Sequence, residues 1–181
     1  MEIKVLTAPG LGGSGPLHWQ SRWEQSIPGT LRIEQSDWDT PSLNNWINKL
    51  EAAISAAGPQ VVIAAHSLGC IALAHWAQQT HLTIAGALLV APPDVERPDF
   101  PEVAASFNPV PLKKLPFKSI LIASTNDAYC SLERAALLAK HWGSSFVNAG
   151  AKGHINADSN LEEWQEGKDL LSELVHNRVT L

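Results

Sequence analysis

The chain has 181 residues, a length that suits one domain with a single core. With 45% hydrophobic and 17% charged residues it is neither disordered nor dependent on disulfide staples. Thirteen Lys and Arg against 18 Asp and Glu give a net charge of −5, and no basic run is present, which argues against a nucleic-acid partner. Cys70 and Cys130 form no CxxC pair, so neither a zinc site nor a disulfide framework is expected. The opening MEIKVLTAPG is unlike a secretory leader, and the longest apolar run, Ile84 to Ala91, is far short of the ~20 residues a membrane helix needs. The expectation is a soluble cytoplasmic protein with no membrane partner; oligomeric state is not legible.

Short β-branched apolar runs recur at Ile3 to Ala8, Leu31 to Gln35, Val61 to Ala65, Ile84 to Val90, Ser119 to Ala123 and Ser145 to Asn148. Most are continuously apolar, as parallel strands covered on both faces are. Between them lie helical patterns over Leu17 to Ser26, Ser67 to Gln79, Leu132 to Trp142 and Leu161 to Val175. A fifth carries Leu43, Trp46, Ile47, Leu50, Ile54 and Ala57 on one stripe, with Thr40 as N-cap, Pro41 in the first turn and Gly58 as the stop. The alternation predicts an open, six-stranded, mostly parallel α/β sheet with helices on both faces and ligands beyond the strands' carboxyl ends. Residues 1–181 read as one domain without a separate cap. Residues 92–117 hold seven of the twelve prolines and read as a lid or pocket wall.

Two motifs compete for the chemistry. Gly10, Gly12 and Gly15 make a formal GxGxxG after a strand, with Glu34 or Asp37 as a conceivable ribose acid, but Pro16 follows the third glycine where a phosphate-binding helix should begin. The second motif runs Val61-Val62-Ile63-Ala64-Ala65-His66-Ser67-Leu68-Gly69 into a helix. A strand, a sharp turn on a serine and a helix lift a hydroxyl above the sheet, and small residues two before and two after keep the turn free of clashes. As a competing role, Ser67 could simply cap the helix.

A serine hydroxyl needs an imidazole to take its proton and an acid to orient that imidazole. Asp127 follows the strand ending at Ala123, with Asp94 as a rival acid, and His154 lies between the last strand and last helix. Among the other histidines, His18 and His66 could reach the pocket, with Trp19 beside His18. Glycines at the first loop let backbone approach an oxyanion, so the donors are expected at the Leu68 amide and at Leu11, with Gly12 nearly equal. The order Ser67, Asp127, His154 is that of α/β-hydrolases.

The segments Val5 to Gly10, His18-Trp19 with Trp23-Glu24, Ala65 to Gly69, Ser124 to Asp127 with Tyr129, and Gly150 to Asn156 followed by Trp164 and Gly167 resemble the retinoblastoma-binding protein nine (YdeN-like) family of small serine hydrolases. The resemblance spans nearly the whole chain. It implies a minimal α/β-hydrolase fold lacking the first two strands of the full fold, with Ser67, Asp127 and His154 as catalytic triad. Two departures stand out: Ala65 replaces the first elbow glycine, and Asn160-Leu161 stands where a glycine-rich turn is expected. The combined expectation is a serine hydrolase acting through an acyl-enzyme, without metal or organic cofactor. A small ester is the leading substrate; an amide, peptide or thioester would use the same machinery. A binding module that has lost turnover is the alternative of another class.

Overall fold

The computed structural model describes residues 4–176. Strands β1 (Lys4–Ala8), β2 (Thr30–Arg32), β3 (Val61–His66), β4 (Gly86–Val90), β5 (Ser119–Ala123) and β6 (Ser145–Asn148) form one sheet in the order β2-β1-β3-β4-β5-β6. Every pairing is parallel, so the expected mostly parallel sheet is wholly so. Ile3, expected to open β1, lies outside the described residues.

Strand side chains alternate between two cores even though the strands read as continuously apolar, because both faces are covered. Leu6, Ile63, Leu89 and Leu121 face α2 (Leu43–Ala57), α3 (Leu68–Trp76) and α4 (Leu132–Trp142). Val5, Val62, Leu88 and Ile122 face α1 (Trp19–Ser26) and α5 (Gln165–His176). This is the minimal α/β-hydrolase architecture. No helix among the described residues is long and apolar enough to cross a membrane.

Element boundaries differ from expectation for local reasons. Helix α2 is preceded by Ser42, not Thr40, because Asp37 draws the Thr40 and Asp39 amides into a turn of its own. Helix α5 starts at Gln165 instead of Leu161. Asn160, Glu162 and Trp164 have φ of 48°, 52° and 44°, a left-handed backbone that a right-handed helix cannot contain. Asn160 thus takes the conformation for which a glycine was expected, asparagine being among the side chains that tolerate it. Strand β2 ends at Arg32, although the Ile33 amide still reaches the Thr7 carbonyl at 2.9 Å.

Residues 92–117 are tied down along their length. They contain a short 3₁₀ turn, Glu102–Phe107, whose Phe107 is fully buried and packs edge-on against Trp46 at 5.4 Å. The Trp142 indole donates to the Pro111 carbonyl at 2.7 Å, and the Leu115 amide to the Trp142 carbonyl at 3.0 Å.

Candidate active site

The loops after β1, β3, β5 and β6 meet above the carboxyl edge of the sheet. The turn from β3 into α3 places Ser67 at φ 52° and ψ −126°, a strained conformation for a residue with a side chain. Close packing holds it there: a Cβ on Gly69 would come within 2.2 Å of the Ala8 carbonyl oxygen, and one on Gly10 within 2.7 Å of the Ser67 Cβ. Ala65, two residues before the serine, is fully buried in β3, so its methyl group is accommodated. The Ser67 hydroxyl makes no capping bond to α3 and lies 2.8 Å from His154 Nε2. On the other side of the ring, Nδ1 is 2.9 Å from both carboxylate oxygens of Asp127. Since carboxylate oxygens accept, Nδ1 carries the proton and Nε2 presents its lone pair to the serine. The rival acid, Asp94, is engaged elsewhere: it forms an ion pair with Arg134 at 3.2 Å.

The acid and imidazole loops are joined by small polar side chains. Ser124 Oγ donates to Asn126 Oδ1 at 2.8 Å and accepts from the Lys152 amide at 2.9 Å. Asn126 Oδ1 also accepts from the Gly153 amide at 2.7 Å, one residue before His154. The sequence reading missed this role for Ser124 and Asn126. Its signal was two short hydrogen-bonding residues between a strand end and the acid.

His66 Nε2 donates to the His154 carbonyl at 2.9 Å, and its ring lies 5.0 Å from that of His154. Burial, with His18 and His154 nearby, holds the His66 imidazole well below the usual histidine range. His18 caps α1: its Nδ1 accepts the Gln20 amide at 3.1 Å, so the neutral ring carries its proton on Nε2, which is buried without a partner. Burial, then the Arg32 charge and His154, lowers His18 to about 3.

Ser67, His154, His18, His66, Leu11 and Leu68 all line one cavity of about 200 Å³. Trp19, also expected in the pocket, does not line it. Its side chain is 1% exposed, packs edge-on against Trp23 at 4.6 Å and tilted against Trp164 at 5.1 Å, and donates through its indole to the Ile155 carbonyl. The α1 face that carries it is held in the core, and it braces the His154 loop from behind. Gly12 is also misassigned as an oxyanion donor, because its amide is spent on the Trp38 carbonyl at 2.8 Å. The Leu11 amide takes no acceptor among the described residues, and the Leu68 amide is in the first turn of α3, where helical amides lack intrahelical partners. The GxGxxG loop therefore lies against the serine turn instead of opening a helix, and α1 begins only after His18. The described residues contain no group of three His, Cys, Asp or Glu arranged to hold a metal ion.

Comparison with known proteins agrees with this architecture. Residues 5–173 match the serine hydrolase family. Among solved structures, one described as a YdeN-like hydrolase from Pectobacterium atrosepticum is 32% identical, with TM-score 0.87 over 97% of this chain and 92% of that one. The ydeN gene product of B. subtilis gives TM-score 0.77 at 16% identity, covering 96% of this chain and 98% of that one. A thermophilic esterase from Thermogutta terrifontis gives TM-score 0.69 at 16% identity, covering 98% and 90%. At such low identity the last two speak for the fold alone. No curated protein matches the chain. These matches carry the YdeN-like resemblance, while the retinoblastoma-binding protein nine name rests on the sequence motifs. A family match over nearly the entire sequence, on a minimal α/β-hydrolase sheet, assigns this chain to the serine hydrolase family.

Proposed function

We propose that the protein hydrolyses small carboxylic esters, with Ser67 as nucleophile, His154 as base and then acid, and Asp127 as the group that orients the ring. As the Ser67 oxygen bonds to the ester carbon, its proton passes to His154 Nε2 and the carbonyl electron pair moves onto oxygen. The Leu68 and Leu11 amides receive that oxyanion. Collapse expels the alcohol, which takes the proton from Nε2; a water then attacks the acyl-enzyme by the same route and releases the acid. The chain's own residues supply every proton transfer.

One observation carries this reading: a serine held at φ 52° directs its hydroxyl to an imidazole at 2.8 Å instead of capping its own helix. The same contact favours an enzyme over a binding module that has lost turnover. A fluorophosphonate probe labels the wild type and not Ser67→Ala; an unlabelled wild type refutes the assignment.

A further inference from the structure

Resting on that reading of Ser67, we propose that the site is selective for the acyl half of its substrate: it takes short, uncharged acyl groups of about two to four carbons and turns away acyl groups bearing a carboxylate or an ammonium.

Size is the first argument. The cavity beside Ser67 measures about 200 Å³. Sites for drug-sized ligands run ~300–1,000 Å³. The cavity is thus about two thirds of the lower bound for such ligands, and the reacting ester function itself takes part of it, which leaves the acyl side space for a short chain.

The second argument is that the wall is fixed. Pro93, Phe100 and Pro101 form the side supplied by residues 92–117. That segment is anchored at both ends of the contact. The Asp94 amide donates to the Tyr129 carbonyl at 3.0 Å, and Arg97 donates to the Ala128 carbonyl at 2.5 Å. Beyond Pro101, Ala104 and Phe107 are fully buried. A longer chain would have to displace a packed element, and a single extra methylene in a filled pocket commonly changes specificity by ~10–200-fold.

Charge is the third. Among the described residues no Asp, Glu, Lys or Arg lines the cavity. Asp127, the carboxylate behind His154, has a side chain only 3% exposed and both oxygens on the imidazole. Lys152, two residues before His154, reaches toward Glu166 at 3.9 Å. The titratable groups that face the cavity are His18, His66, His154 and Tyr129, and burial keeps the first two neutral. A charged acyl group would enter without a counter-ion, at the cost that any unpaired charge bears on leaving water.

The test measures kcat/KM for ethyl acetate, butanoate, octanoate, hydrogen succinate and glycinate by acid release, with fluorophosphonate labelling of Ser67 run alongside. Acetate and butanoate should exceed octanoate, succinate and glycinate by about a hundredfold or more. In Phe100→Ala the octanoate-to-butanoate ratio should rise by about tenfold. Octanoate, succinate or glycinate turned over as well as butanoate, or no ester turned over by a labelled enzyme, overturns the acyl selectivity while leaving Ser67 as nucleophile. An unchanged ratio in Phe100→Ala overturns the assignment of the wall. Failure of labelling removes the nucleophile reading beneath both.

Discussion

His18 should make the fold acid-labile, by an amount that can be worked out. Its ring is 4% exposed, packs against His66 at 4.6 Å, and is held neutral down to about 3, first by burial and then by Arg32 and His154. In the unfolded chain a histidine titrates near ~6.5. Above that pH the ring is neutral in both states and contributes no pH dependence. Below it the unfolded state binds a proton that the folded state refuses, so stability falls as pH falls, by about 1.4 kcal/mol per unit until the folded value is reached. At about pH 4.5 the loss is thus about 3 kcal/mol, a large share of a typical 5–15 kcal/mol. His66, shifted in the same direction by burial, steepens the decline. Urea unfolding of the wild type and His18→Asn across about pH 8 to 4.5 measures this. Asparagine can still cap Gln20 but does not titrate, so the variant should lose about 3 kcal/mol less over that range. Parallel pH dependences in the two proteins would refute the argument.

Four further outcomes follow from the geometry. Asp127→Asn leaves the fold intact but removes the acceptor that fixes the His154 tautomer, and kcat should drop by about 10⁴ in a steady-state ester assay. His66→Phe keeps a buried ring but loses the 2.9 Å bond to the His154 carbonyl, and kcat should fall by about tenfold, with KM little changed. Gly69→Ala drives a methyl group into the Ala8 carbonyl at 2.2 Å, so thermal or urea unfolding should show a loss of about 3 kcal/mol or more. In Gly167→Ala the new Cβ meets the Trp164 ring at 2.3 Å, so tryptophan fluorescence should shift as the Trp19, Trp23 and Trp164 cluster loosens.

The sheet was legible because its strands are short β-branched runs separated by helical periods, and three helix-forming stretches with clear end signals sit within a residue or two of expectation. Boundaries failed where a local side-chain bond or a left-handed residue overrode the pattern, as at Asp37 and along Asn160 to Trp164. The residues that meet at the site were legible one by one, since each follows a strand on the same edge. What could not be read was which backbone amide remains unspent: Gly12 and Leu11 are neighbours, and only the bond to Trp38 separates them. Trp19 looked like a pocket residue for a similar reason. It follows His18, but helix rotation sends one ring to the cavity and the next into the core.

The anchored proline-rich stretch between β4 and β5 supplies none of the three groups aligned at Ser67, which come from the turns after β3, β5 and β6. Reactivity and the limit on acyl length are therefore encoded in separable lengths of chain. Grafting a different stretch between Val90 and Ser119 should redirect what is cleaved while the cleaving apparatus carries over unchanged, which makes this connection the natural place to diversify the protein by design or descent.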